Sequence, residues 1–101
     1  MKFLTFDQIK AQLRLDDAQA LEEHDLLELY GEAAEDAVLN TCHRTMEDIV
    51  EMYGVVPKAL VQAGLMFVAQ SYQYREPVSP QNLNAVPGFD MLVRPYIKLT
   101  T

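Results

Sequence analysis

One segment constrains the fold more than any other, because residues 57–75 predict a helix that is apolar on nearly every side. Pro57 suits the first helical position, where its missing N–H would have no partner in any case. At 1.5 Å per residue, this helix spans roughly 28 Å. A helix that is apolar all round is normally buried all round. It therefore needs either close wrapping by the other helices of the chain or cover from another subunit.

Little other chain is present to provide that cover. The sequence has 101 residues, half of them apolar, and a chain of this size buries only roughly 60–65% of the surface that its unfolded form exposes. We expect one domain over residues 1–101, with an all-α fold. No stretch approaches the ~20 apolar residues of a membrane-spanning helix, and residues 1–10 lack the apolar run of a signal peptide. The single cysteine, Cys42, excludes an internal disulfide and a multi-cysteine zinc site.

The first half of the chain predicts a short helix and a long one. Thr5 and Gln8 have the spacing of a capping box, which begins a helix over residues 5–14. Apolar residues then recur at steps of three and four over residues 22–40, with acids on the opposite face. Gly31 lies inside this second helix at a cost of about 1 kcal/mol relative to Ala, so we expect a neighbour to approach closely there.

The remaining elements are short. Thr45 predicts a helix start and Gly54 its end, so residues 45–54 form two helical turns or an ordered loop. Three prolines exclude a regular helix over residues 76–87, which we expect to be a long loop. Residues 89–93 can form one or two helical turns, and residues 96–99 alternate in the manner of an extended segment. The predicted fold is a small helical bundle with two long helices and an extended tail.

Charge is distributed unevenly along the sequence. Residues 1–56 carry four cations against thirteen acids, a balance of −9, whereas residues 57–101 carry four cations against two acids, a balance of +2. The acid excess disfavours non-specific DNA binding, which depends on clustered Lys and Arg. The polarity fits either two solvated faces or a head-to-tail contact, in which the acidic surface of one copy meets the basic surface of the next.

The sequence offers few residues for catalysis or metal binding. His24 lies among acids at a helix start, and the neighbouring Cys42 and His43 point about 100° apart on a helix, so they would not converge on one ion. We interpret His24 and its neighbours as solvated charges. We interpret Cys42 as a core cysteine and His43 as an exposed histidine beside it. Asp16 and Asp17 lack the spaced oxygens of a calcium loop and fit a helix start better. We expect no enzymatic activity, catalytic residue, metal or cofactor.

Several segments, taken in order, resemble the head-tail connector family of tailed phages, also described as gp6-like DNA-packaging proteins. They are KAQLRLD at residues 10–16, DLL at 25–27, the alanine-rich stretch at 33–37, VPKALVQA at 56–63, AQSYQYRE at 69–76 and FDMLVRPY at 89–96. The resemblance covers nearly the whole chain, although it offers no motif for residues 42–54.

The resemblance implies a structural virion protein that forms a homo-oligomeric ring under the portal, extends the DNA channel and docks the stopper or tail proteins. The protein would reside at the head-tail junction of the virion and, during assembly, in the host bacterial cytoplasm. DNA would pass through without sequence-specific binding, because a lining of like charge keeps phosphate mobile. No membrane contact is expected.

The resemblance also implies roles for three sets of residues. The motif that ends and anchors the first helix comprises Gln12, Leu13, Arg14 and Asp16. The subunit or partner contact comprises Lys58, Phe67, Tyr72, Tyr74, Arg75, Arg94 and Tyr96. The acids that would face the channel are Glu28, Glu32 and Glu35. The alternative function is a small helical regulatory or adaptor module that binds a single protein partner through the same apolar surface.

Overall fold

A computed structural model describes residues 1–74 and 88–98 of the chain, and this part contains helices but no strand. The helices are α1 (Phe6–Leu13), α2 (Asp17–Glu22), α3 (His24–Cys42), α4 (Met46–Tyr53), α5 (Lys58–Tyr74) and α6 (Phe89–Val93), and a 3₁₀ turn (Arg94–Tyr96) follows α6. The predicted all-α bundle is confirmed. The predicted loop over residues 76–87 and the end of the tail at Leu99 lie outside the described residues.

The two long helices, α3 and α5, pack against each other over their length and form the centre of the fold. They run antiparallel, since the hydroxyl of Tyr72 near the end of α5 donates to the carboxylate of Glu23 just before α3, at 2.5 Å. Helix α1 packs across both long helices, and α6 packs mainly on α5. The short helices therefore cover opposite ends of one central pair.

Two clusters of buried side chains fill the interior, one toward each end of this pair. The α1-side core comprises Leu4, Ile9, Leu27, Tyr30, Ala34, Leu65, Phe67 and Val68. The α6-side core comprises Val38, Leu39, Cys42, Ile49, Leu60, Ala63, Phe89 and Val93. Half-buried Phe3 packs against both clusters and joins them.

Local sequence signals set several helix boundaries as predicted. Thr5 and Gln8 form a complete capping box at the start of α1, and Thr45 and Asp48 form another at the start of α4. Gly54 ends α4 with φ +79°, a conformation that glycine adopts without steric cost. Residues 45–54 therefore contain a genuine two-turn helix.

Other boundaries differ from the prediction. An additional helix, α2, precedes α3 because Asp16 and Gln19 form a third capping box. Helix α3 begins at His24 and ends at Cys42, so both of its boundaries lie two residues later in the sequence than predicted. Helix α5 begins at Lys58, so Pro57 lies just before it, and the Pro57 carbonyl accepts the first hydrogen bonds of the helix.

The chain itself covers most of the apolar surface of α5. Leu60, Ala63, Leu65, Phe67, Val68 and Ser71 are buried, and no described side chain of α5 is a large exposed hydrophobic. The prediction left two alternatives open for this helix, and the structure favours wrapping by the other helices. The apolar surface that remains uncovered lies elsewhere.

Candidate interaction surfaces

The motif at residues 12–16 is the connection between α1 and α2. Arg14 ends α1 in the left-handed conformation, with φ 56°. Its N–H donates to the carbonyl of Ala11, and the N–H of Leu15 donates to the carbonyl of Lys10. This pair of bonds is a Schellman motif, which satisfies carbonyls that a helix end leaves free.

The side chains of this motif divide into two groups. Leu13 and Leu15 are half-buried against the α1-side core, while Gln12 and Arg14 are exposed and Asp16 caps α2. The motif thus ends the first helix and redirects the chain, and the leucines hold the turn in place. The exposed side chains of Gln12 and Arg14 are directed away from the core.

The three acids that were expected to face a channel do not share one environment. Glu32 is exposed and Glu28 is half-exposed, but Glu35 is only 2% exposed. Its carboxylate accepts hydrogen bonds from the backbone N–H groups of Phe3 and Leu4, at 2.5 and 2.8 Å. The expectation for Glu35 is therefore wrong, because this acid is satisfied inside the subunit.

His24 lies beside two acids at the start of α3. Its Nδ1 lies 3.5 Å from a carboxylate oxygen of Asp25 and 3.8 Å from one of Glu28, and its ring packs against Phe6 with 4.6 Å between ring centroids. Each of these three residues offers a ligand atom within 4.8 Å of the others. They are solvent-exposed to a large degree, and exposed acids gather in this way without a metal. The arrangement fits the predicted solvated charges at a helix start.

Cys42 and His43 also fit the interpretation drawn from the sequence. Cys42 is fully buried in the α6-side core, and burial raises the pKa of its thiol to about 11, against a smaller opposing influence of Arg44. His43 is exposed and ends α3 in the left-handed conformation. A buried neutral thiol is a poor nucleophile, so this pair supports no catalytic role.

The residues expected at a subunit contact are divided between the interior and the surface. Phe67 is 3% exposed within the α1-side core, so its assignment to a contact surface is wrong. Tyr72 is half-buried and bonded to Glu23. Lys58 and Arg94 are exposed, and Tyr96 is half-buried. The Tyr74 side chain and Arg75 lie outside the described residues.

A surface that the sequence reasoning missed lies on α4 and the turn after it. Of the eight large hydrophobic side chains that are exposed in the described part of the chain, four fall within six consecutive residues. We call them the α4 surface: Val50, Met52, Tyr53 and Val55. Val55 is the most exposed, at 73%. The signal in the sequence was an excess of apolar residues in a short helix of which only Ile49 is buried.

The segment after α6 holds α4 in position. The Tyr96 carbonyl accepts a hydrogen bond from Nε of Arg44 at 2.8 Å, and Nη1 of Arg44 lies 2.8 Å from the sulfur of Met52. The rings of Tyr53 and Tyr96 meet edge to face with centroids 5.4 Å apart. The N–H of Lys98 donates to the Cys42 carbonyl at 2.8 Å. Tyr96 is thus continuous with the α4 surface.

The fold converts the charge pattern of the sequence into a difference between two ends. The α1-side end, residues 1–36 and 65–74, has three cations and ten acids, a net charge of −7. The α6-side end, residues 37–64 and 88–98, has four cations and four acids, a net charge of zero. Among the described helices, none has the length and apolar character needed to cross a bilayer.

Comparison with known proteins adds one finding. Residues 3–89 match the family model described as phage gp6-like head-tail connector protein. Searches of curated proteins and of solved structures give no match.

Proposed function

Because this chain belongs to the phage gp6-like head-tail connector family, we propose that it forms a homo-oligomeric ring under the portal, where it extends the DNA channel and docks the stopper or tail proteins. Membership gives the chain a structural role in the virion, and the family is structural rather than enzymatic. The match carries this proposal because it spans the five helices α1 to α5 in full and ends at the first residue of α6. The head-tail junction is the proposed location, reached from the host cytoplasm during assembly.

The contact between copies is proposed to involve the α4 surface. Two α1-side ends would repel each other, since each has a net charge of −7, whereas the α6-side end is neutral and bears the largest group of exposed apolar side chains. The expected contact residues Lys58, Arg94 and Tyr96 also belong to this end. Tyr74, the last residue of α5, and Arg75, the next residue in the sequence, also stay in the proposal.

The acids of α3 are proposed to keep DNA mobile in the channel. Glu28 and Glu32 lie on the exposed side of α3, at the end that carries the whole net negative charge. Acidic side chains release no counterions from DNA, so they add no non-specific affinity. Glu35 is left out of this set because it is buried.

The assembly proposal is tested by measuring the mass of the purified protein by light scattering over a range of concentrations, alone and with the portal protein of the same particle. We expect ring-sized species on the portal, and a monomer in isolation would be compatible with assembly on that template. A chain that stays monomeric and never associates with portal assemblies would contradict the proposal and favour the small adaptor module.

The channel proposal has its own test, a mobility-shift assay with duplex DNA at low salt. The unaltered protein should not retard the duplex. A double variant, Glu28→Lys with Glu32→Lys, should gain salt-dependent retardation, because four units of charge change at one face. Retardation by the unaltered protein would contradict the assignment of a non-adhesive acidic face.

A further inference from the structure

The α4 surface can supply only one of the two contact patches that a ring requires. In a closed ring of more than two copies every contact is heterologous, because the patch that a copy offers to one neighbour differs from the patch that it offers to the other. Each copy therefore needs a second patch outside the α4 surface. For an apolar contact, this patch should be exposed, apolar and away from the acidic α1-side end, where copies repel each other.

Helix α6 carries an exposed apolar side chain at the same neutral end. Met91 is 80% exposed, more than any other large hydrophobic side chain within residues 1–74 and 88–98. Phe89 and Val93 lie on the opposite side of α6 and are buried in the α6-side core. The other exposed hydrophobics outside the α4 surface belong to the acidic end: Met1, Leu21 and Leu29. Met91 is therefore the best centre for a second patch.

The charges beside the two patches have opposite signs. Residues 46–55 carry three acids and no cation, whereas residues 88–98 carry two cations and one acid. Glu47, Val50 and Glu51 share one exposed side of α4, since Val50 and Glu51 are three and four residues after Glu47. Arg94 follows Met91 by three residues and is also exposed. Its ion pair with Asp90 is largely exposed and hence weak, so the guanidinium can take another carboxylate as partner.

We propose that α6 of one copy docks on the α4 surface of the next copy. Apolar side chains of the α4 surface cover Met91 in this contact, and Arg94 lies beside Glu47 and Glu51. The inference rests on the proposed ring and names the two patches that join its subunits. The arrangement is head-to-tail, and it leaves the acidic α1-side ends out of the contact.

The two patches are held at a fixed angle by one core. Ile49 of α4 packs in the same buried cluster as Phe89 and Val93 of α6. Because a close-packed interior deforms little, the orientation of α4 relative to α6 is the same in every copy. The turn from one copy to the next, and with it the number of copies that closes the ring, is then set by the α6-side core.

Cysteine cross-linking of assemblies on the portal protein tests which patches meet. Val55→Cys and Met91→Cys place thiols at exposed positions, so neither change should disturb the fold. Cys42 is buried and does not compete for the reagent. A short bismaleimide should join copies that carry both substitutions into a ladder of oligomers, whereas a mixture of the two single variants should give dimers and nothing larger. Leu29→Cys combined with Met91→Cys is the matched control and should give no ladder.

The outcomes separate this contact from the ring itself. Dimers formed by Val55→Cys alone would show that two α4 surfaces meet each other, which contradicts the proposal. Rings that assemble on the portal protein without any cross-link between positions 55 and 91 would also overturn it, and the proposed ring would survive that result. If the unaltered protein never associates with the portal protein, the proposed ring fails, and the contact fails with it.

A charge exchange across the contact is an independent test. Arg94→Glu should reduce assembly on the portal protein at least about tenfold, because it places an acid beside Glu47 and Glu51. Adding Glu51→Arg to the same chain should restore assembly to within about threefold of the unaltered protein. Lys2→Glu changes an exposed cation at the other end and should have no effect. Thermal unfolding of each isolated variant checks that the fold is intact. Failure of Glu51→Arg to restore assembly would contradict the pairing of α6 with α4.

Discussion

The two ends of the molecule have similar interiors and different surfaces. Each is built on a cluster of eight buried residues between α3 and α5. Outside these clusters, the α1-side end carries the entire net charge of −7 and exposes Met1, Leu21 and Leu29, which are scattered among acids. The α6-side end is neutral and exposes the four residues of the α4 surface and Met91. Interior packing therefore does not distinguish the two ends, and the proposed contact between copies rests on the difference in surface charge and exposed apolar side chains.

The largest effects should come from the two cores, and they test whether both ends unfold together. Phe67→Ala and Phe89→Ala each truncate a buried ring, at 3% and 2% exposure, and each should cost about 3–5 kcal/mol of unfolding free energy. In denaturant, both variants should shift one common transition, followed by far-UV circular dichroism and tyrosine fluorescence. If Phe89→Ala instead detaches α6 and leaves the α1-side end fully stable, the two ends are separate folding units.

The next effect concerns how tightly the α6-side end is closed. A rise in the Cys42 pKa from 9.0 to about 11 lowers its thiolate fraction near neutral pH about a hundredfold, so a thiol reagent should react with the native protein at least that much more slowly than with the unfolded chain. The raised pKa of Cys42 also determines whether stability rises or falls with pH. The unfolded thiol ionises near pH 9 while the folded thiol stays neutral to about 11, so this group lowers stability as pH rises between those values. Fast labelling under native conditions would show that this end opens locally.

A smaller effect is expected from the caps of the short helices. Thr45→Ala removes the capping box of α4 and should cost about 1 kcal/mol, and Thr5→Ala at the start of α1 is the matched change at the other end. Both losses of unfolding free energy are measured by thermal unfolding. A markedly larger loss for Thr5→Ala would show that the cap of α1 also supports the buried contacts of Phe3 and Leu4 just before it.

The cap of α4 also has a pH signature. Hydrogen bonds from the backbone and hydroxyl of Thr45 hold the pKa of Asp48 below its usual range. Its stabilising contribution is therefore present above the pKa of the unfolded carboxyl and is lost as pH falls through the lower folded value. Asp48→Asn should reduce the acid sensitivity of α4, measured by amide exchange in that helix, and unchanged sensitivity would contradict the assignment.

Local signals in the sequence predicted much of the fold. Thr5, Thr45 and Gly54 act through residues within four positions of themselves, so their roles could be predicted without knowledge of the tertiary structure. The prediction of a helix start at Asp16 and Asp17 is confirmed by the capping box of α2, but a separate helix over the following residues was not predicted. The periodicity of α3 and α5 predicted two long helices correctly.

Surface assignments were less successful because they depend on contacts between distant residues. Glu35 has the sequence environment of an exposed acid, but it is buried where Phe3 and Leu4, more than thirty residues earlier in the sequence, donate two N–H groups to its carboxylate. The resemblance places Phe67 at a contact, but the packing of α1 and α3 on α5 buries it in the α1-side core. The apolar pattern of α5 left open whether the chain or another subunit covers this helix. The other helices pack along it, and the largest group of exposed apolar side chains lies on α4 and the turn after it.

The most direct test of the difference between the two ends is a matched pair of substitutions, Val55→Asp on the α4 surface and Leu29→Asp on the acidic side of α3. Both side chains are mostly exposed, at 73% and 60%, so neither change should alter the thermal midpoint of the isolated subunit appreciably. Sedimentation velocity with the portal protein then measures assembly. Val55→Asp should reduce assembly at least about tenfold, because a charge is introduced into an apolar contact, while Leu29→Asp should leave it unchanged. Loss of assembly in Leu29→Asp with normal assembly in Val55→Asp would place the contact at the opposite end of the molecule and contradict the account.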